Sequence, residues 1–201
     1  AIGGQTNQYM PDRLIDCVLE SGARHLTIYS IDSSDPGHGV SLLVEAGRVD
    51  AMITTHVGTN PLTNAKIQSG ALKAEFNPMG TFIERIRCGG AGLGGVLTPT
   101  GVGTIVEDSP FCLGKQTIDG RDYLLMKPIR ADFALINGYL VDKFGNIWYK
   151  GTTRNFNIVM ATAADVVIAE ADNVVEIGDI QPENVVTSGA FVNYIVDGGN
   201  A

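Results

Sequence analysis

Three glycines, Gly22, Gly47 and Gly70, each close a helix-like segment, and a short strand-like run follows each of them. This alternation constrains the fold more than any other feature of the sequence. Strands separated by helices cannot be hairpin partners, so they pair in parallel across crossover connections. The segment 12–21 places Leu14, Ile15, Val18 and Leu19 on one helical face, with Pro11 before it and Gly22 after it. Residues 25–29 then read as a strand, 40–46 as a helix and 49–54 as a buried β-branched strand. The pattern repeats with a helix over 61–69, a strand over 74–77 and a helix over 81–87. The opening Ala1-Ile2-Gly3-Gly4 reads as the end of a strand entering a turn.

Past residue 87 the pattern changes. The run Cys88-Gly89-Gly90-Ala91-Gly92-Leu93-Gly94-Gly95 is read as a loop, because glycine destabilises helix and strand interiors. Thr117–Leu124 reads as a hairpin turning at Asp119-Gly120. Strands are expected over 131–136 and 147–149 with a turn at 142–146 between them, then a helix over 156–163 and a strand over 165–170. No repeat or linker interrupts the chain. The expected architecture is therefore α/β, an open and largely parallel sheet flanked by helices, in one domain over residues 1–201.

Composition narrows the partners. A formal net charge of −8 disfavours nucleic acid, which selects for basic patches. No apolar run approaches the roughly 18 residues of a membrane span, and no signal peptide is visible. Cys17, Cys88 and Cys112 lack CxxC spacing and read as reduced thiols of a cytoplasmic protein.

Chemistry-bearing residues are each open to a plainer reading. Gly90-x-Gly92-x-x-Gly95 matches a dinucleotide fingerprint in letters, but a helix precedes it where that motif needs a strand. His25, His38 and His56 lack metal-ligand spacing, and no metal is expected. Ser30, Ser33 and Ser34 lack a nucleophile elbow. Asp32 and Asp35 bracket a turn and suit side chain to backbone hydrogen bonds. Glu45, Glu75, Glu84, Glu107 and Glu170 are the carboxylates that covalent catalysis would draw on. Glu84, flanked by Arg85 and Arg87, reads as part of an exposed ion pair.

Asn77-Pro78-Met79-Gly80-Thr81-Phe82-Ile83-Glu84-Arg85-Ile86-Arg87-Cys88-Gly89-Gly90-Ala91-Gly92, continuing into Leu97–Thr104, resembles the family I CoA-transferases, in particular their alpha subunits of the acetate/acetoacetate and 3-oxoacid type. Val57–Pro61, Arg154-Asn155-Phe156-Asn157 and Thr187-x-Gly189-Ala190 also match, so the resemblance runs from Gly3 almost to the C-terminus. It implies a beta-subunit partner, in a heterodimer or α2β2 assembly, and exchange of CoA between a short-chain acyl-CoA and a small carboxylic acid such as acetate or acetoacetate. Coenzyme A is then a substrate and no cofactor is needed.

In such a pair a glutamate of the beta subunit attacks the acyl-CoA and carries CoA as a thioester. Its Ser-Glu-Asn-Gly type motif is absent here, so no nucleophile is assigned to this chain. The resemblance places an oxyanion and acyl pocket at Gln5, Asp32, Met79 and Gly80, and a CoA or substrate loop at Gly3, Gly4, Gly90 and Gly92.

Two departures stand out. Relatives carry Gln where Met79 stands, and a thioether cannot donate a hydrogen bond. The first loop, Gly3-Gly4-Gln5-Thr6-Asn7-Gln8-Tyr9-Met10-Pro11, is bulkier and more polar than in relatives, and Gln5 or Gln8 is the expected replacement amide. A non-catalytic scaffold subunit and an acyl-CoA hydrolase on the same fold are the alternatives.

Overall fold

The structure is a computed structural model that describes residues 1–199. Its first half follows the glycine-punctuated alternation. Helix α1 (Asp12–Glu20) is followed by strand β1 (Leu26–Tyr29), α2 (Gly39–Glu45), β2 (Val49–Thr54), α3 (Pro61–Gln68), β3 (Lys73–Phe76) and α4 (Met79–Gly90). The strands pair in parallel in the order β1-β2-β3. Gly22, Gly47 and Gly70 all adopt positive φ just past a helix end, a conformation that side chains with a Cβ resist. Asn60 caps α3 by accepting the Thr63 amide at 2.9 Å, with Pro61 in the first helical position.

A separate antiparallel sheet follows. Strands β4 (Val96–Thr98), β5 (Cys112–Ile118) and β6 (Arg121–Met126) order as β4-β6-β5. Asp119 and Gly120 form the expected two-residue turn, both at positive φ (51° and 75°), which matches the twist of a hairpin.

The remaining elements are β7 (Ala131–Asp142), β8 (Ile147–Trp148), α5 (Asn157–Thr162), β9 (Ala164–Val175) and β10 (Tyr194–Asp197). Strands β7, β9 and β10 are parallel, and β8 returns antiparallel on β7. The N-terminal residues join the two parallel sheets. The Ile2 amide bonds the Tyr29 carbonyl at 2.9 Å, and Gly3 donates to Leu135 while Leu135 donates to Ala1, both at 2.9 Å. A hydrophobic core then unites Ile53, Phe82 and Ile86 with Ile136, Met160 and Val167. No helix among the described residues is long and apolar enough to cross a membrane.

The expected α/β architecture of largely parallel strands flanked by helices is present, with those strands divided into two sheets linked through Ala1–Gly3 beside a third, antiparallel one. Two expectations need correction. Strand β7 extends six residues beyond the expected 136, through Asn137-Gly138. Gly138 is required there because a Cβ would lie 2.4 Å from the Ile147 side chain folded over it. The glycine run does not begin as a loop either. Gly89 and Gly90 are helical, since a Cβ on Gly89 would meet the Ile129 carbonyl oxygen at 1.9 Å and one on Gly90 the Thr162 hydroxyl at 2.4 Å. Close packing against these neighbours outweighs the roughly 1 kcal/mol that each glycine costs a helix.

Candidate active site

The parallel strands β1, β2 and β3 end side by side, with Tyr29 opposite Ile53 and Thr54 opposite Phe76. The chain leaves each strand at this edge, where open α/β sheets place their ligands. Thr54 and Thr55 both donate their hydroxyls to the Ile31 carbonyl, at 2.9 and 2.7 Å, and the Asn77 amide bonds the Thr54 carbonyl at 2.9 Å. These cross-links tie the three strand exits together. His56 bonds Thr55 through Nδ1 at 2.9 Å and serves the same connection.

Asp32 organises the loop after β1. It is only 2% exposed. One carboxylate oxygen accepts the Thr6 amide at 2.8 Å and the Thr6 hydroxyl at 3.1 Å, and the other accepts the Ser34 amide at 2.8 Å. Its neighbour Asp35 exchanges two bonds with Asn7, at 2.7 and 3.0 Å. The first loop is therefore latched at two points onto the loop beyond β1. Within it, Gln5 and Gln8 pair their backbones at 2.9 and 3.1 Å across Thr6-Asn7, and both residues are exposed. Thr6, Tyr9 and Ser34 all take φ between 54° and 57°, a left-handed conformation uncommon outside glycine and held here by the latch.

Gly3 and Gly4 lie at the base of this loop. A Cβ on Gly3 would fall 1.9 Å from Asn157 Oδ1, and Gly4 sits at φ 91° against the Met10 sulfur. Asn157 accepts the Asn137 amide at 3.0 Å and donates to the Tyr9 carbonyl at 3.2 Å, so the start of α5 clamps the far side of the loop. Glu170 holds the start of α1 by accepting the Leu14 amide at 3.0 Å. Burial pushes its carboxyl above the usual range, opposed by the Leu14 amide, and nearby Asp12 adds to the rise.

At the end of β3 the chain enters α4. Pro78 occupies the N-cap and no side chain caps the helix, and the first amide bonded within it is that of Phe82, to Pro78 at 2.9 Å. The preceding amides of Met79, Gly80 and Thr81 sit at the positive end of the helix dipole. Met79 is 45% exposed, and a Cβ on Gly80 would meet nothing within 4 Å. Such amides are suited to receive a negative oxygen.

Gln5, Asp32, Met79, Gly80, Gly3 and Gly4 thus all belong to this one edge. Gly90 and Gly92 do not. They end α4, whose 12 residues carry them roughly 16 Å from Met79. Gly90 is needed for contact with Thr162. Gly92, at φ 68°, closes the helix as its amide returns to Gly89 and that of Leu93 to Cys88.

The five candidate glutamates are all engaged. Glu45 accepts the Gly37 amide at 2.8 Å and the Ser41 hydroxyl at 2.6 Å, bonds that hold its carboxyl below the usual range. Glu75 accepts from Ser109, Glu107 accepts the Gly103 amide at 2.6 Å, and Glu170 caps α1. Glu84 pairs with Arg87 at 2.7 Å on the surface, as expected, but Arg85 turns inward and takes no part. Asn137, Asn157 and Arg85 were not singled out as functional residues from sequence. Asn157 closes the matched block Arg154–Asn157, which was the available signal for it.

Known proteins resemble this chain over nearly its whole length. The chain is 46% identical over 197 residues, 97% of its length and 87% of the other's, to the acetate CoA-transferase subunit alpha of Escherichia coli K12. It is 45% identical over 195 residues to the acetoacetyl-CoA:acetate/butyrate CoA transferase alpha subunit of Clostridium acetobutylicum, covering 97% of this chain and 88% of that one. Glutaconate coenzyme A-transferase from Acidaminococcus fermentans shares the fold with a TM-score of 0.82 at 18% identity, over 98% of this chain and 69% of the other. The family description "Coenzyme A transferase" matches residues 1–198, and the chain belongs to that family.

Proposed function

We propose that this chain is the alpha-type subunit of a two-subunit CoA-transferase that exchanges CoA between a short-chain acyl-CoA and a small carboxylic acid. The relatives at 45–46% identity are named as alpha subunits of enzymes of this kind. The observation that carries the division of labour is the state of the strand-exit edge. It offers the uncapped amides of α4 but holds its own aspartates, Asp32 and Asp35, in structural hydrogen bonds.

The attacking carboxylate then comes from a beta subunit. It adds to the thioester carbonyl, CoA leaves as thiolate, and a mixed anhydride remains. The thiolate attacks the glutamyl carbonyl of that anhydride, which frees the first acid and leaves a glutamyl-CoA thioester. The acceptor carboxylate reverses both steps. Splitting the exchange into these covalent steps avoids a direct attack of one acid on the other's thioester.

The role of this chain is to receive the oxyanion and shape the acid pocket. Met79 cannot supply the amide that its position carries in relatives, so the oxyanion depends on the backbone amides of Met79 and Gly80 and on Gln5 or Gln8 at the exposed turn. Asp32 acts by fixing that turn. Coenzyme A enters as a substrate, with no metal or cofactor. The three cysteines are unpaired, which suits a reducing bacterial cytosol.

The test is CoA exchange by the chain co-expressed with its beta subunit against a panel of short acids. Transfer by the pair and by neither chain alone is expected. Unchanged turnover after Gln5→Ala and Gln8→Ala together would remove those amides from the account. Equal turnover after disruption of Asp32 and the whole first loop would favour a scaffold subunit. Release of free CoA without an acceptor acid would favour a hydrolase.

A further inference from the structure

The largest fully buried side chain among the described residues is a cation, Arg85, at 0% exposure in the second turn of α4. Its hydrogen bonds go to neutral groups. Nη1 donates to Asn77 Oδ1 at 2.5 Å and Nε to the Lys127 carbonyl at 2.7 Å, while Nη2 is buried without an acceptor. The guanidinium also lies 4.5 Å from the centre of the Phe111 ring. Burial lowers its pKa to about 10, opposed by Glu75 and Tyr29, so it remains charged at neutral pH. A buried ion without a close counter-ion is destabilising compared with an apolar side chain of similar volume. Desolvation therefore offsets much of what these contacts add to stability, and a further reason for an arginine is needed.

Its placement gives one. Helical side chains lean toward the N-terminus, and the guanidinium reaches back to Asn77, directly before Pro78 and the uncapped first turn. The Asn77 amide is itself fixed to Thr54, and the Arg85 carbonyl receives the Ile129 amide at 2.9 Å. One side chain thus locks the exit of β3, the start of α4 and the β6–β7 connection together. Its charge lies within roughly 10 Å of the Met79 and Gly80 amides, two to three residues from Asn77.

We infer that Arg85 is a positioning residue for CoA transfer, holding the Asn77–Gly80 turn in register and adding a positive field to the oxyanion site there. The inference rests on the transferase reading above. At about 10 Å and an effective dielectric of about 20, a buried unit charge changes the stability of an oxyanion by roughly tenfold in rate. Lost registration of the turn adds to that.

The experiment compares Arg85→Lys and Arg85→Gln in the assembled complex, with circular dichroism and melting curves confirming the fold. Arg85→Gln is expected to lower kcat by roughly 10- to 100-fold with KM within about twofold. Arg85→Lys, which keeps the charge, is expected to recover at least a third of that loss on a logarithmic scale. Equal kcat for the two variants, or a loss confined to KM, overturns the inference.

Exchange of the Asn77 and Phe82 amides, the bonded amides of this turn, gives in the chain alone a reading independent of turnover. Arg85→Gln is expected to speed it at least fivefold while leaving β7 protected, and unchanged exchange overturns the positioning role. If the wild-type complex moves no CoA, the transferase reading fails while exchange still decides whether Arg85 holds the turn. If Arg85→Gln does not fold, Asn77→Ala removes the same bond while leaving the charge, and unchanged exchange at Phe82 in that variant overturns the positioning role.

Discussion

Replacing Asp32 with Ala tests whether the first loop is held by the latch or by its own conformation. The carboxylate accepts three bonds, from the Thr6 amide, the Thr6 hydroxyl and the Ser34 amide. Ser34 is fully buried, so its amide is left without a partner, at about 1–3 kcal/mol. Thr6 is half-buried and water replaces part of what it loses, adding about 0.5–1.5 kcal/mol. The total is about 2–4 kcal/mol, and at about 2–4 °C per kcal/mol for a chain of this size the Tm falls by about 4–16 °C. Urea unfolding gives the free energy, and hydrogen exchange over residues 5–9 locates it. Asp32→Asn keeps one acceptor and turns a donor toward an amide, so it falls between wild type and Ala. A loss under about 0.5 kcal/mol with unchanged exchange over 5–9 would refute the latch.

Other perturbations reach different parts of the structure. Gly90→Ala forces a Cβ onto the Thr162 hydroxyl and carbonyl, at 2.4 and 2.7 Å, and is expected to cost about 1–3 kcal/mol in urea unfolding while folded enzyme keeps its kcat. The raised pKa of Glu170 favours the fold most below the unfolded carboxyl value, and that contribution is lost as pH rises through the folded value. Glu170→Gln keeps an acceptor for the Leu14 amide and is therefore expected to gain on wild type as pH rises from 4.5 to 7 in parallel urea titrations. Burial carries the Tyr149 hydroxyl up to about 12, against its 2.8 Å bond to Thr187. Absorbance titration is then expected to show a late phenolate step near pH 12, and Tyr149→Phe to remove that step and cost about 1 kcal/mol.

The first half of the fold was legible because its punctuation is local. Gly22, Gly47 and Gly70 end helices through their own backbone preferences, and Asp119-Gly120 sets its own turn. The strand beyond Asn137-Gly138 was not legible, since what makes that glycine necessary is Ile147 folding over it. The same holds for Gly89 and Gly90, whose place in a helix depends on Ile129 and Thr162, 40 and 72 residues away in sequence. In the site, Gly3, Gly4, Asp32, Met79 and Gly80 were named through the resemblance and Gln5 through the loop's departure from it, and all six lie at the edge where β1, β2 and β3 end. The function of Asp32 as a latch depends on Thr6 across 26 residues, which no local pattern encodes. Arg85 was read with Glu84 as a surface pair because adjacent charges on a helix look alike in sequence. Only the packing of α4 against the β6–β7 connection shows that one points out and the other in.

If this chain receives the oxyanion while its partner carries CoA, the covalent intermediate forms on the partner alone. Mass spectrometry of the co-expressed complex after incubation with an acyl-CoA, followed by separation of the subunits, tests it directly. The account predicts a mass increase equal to thioester-bound CoA on the beta subunit alone, reversed by adding an acceptor acid. A CoA adduct on this chain, or on any of its five candidate glutamates after proteolysis, would contradict it.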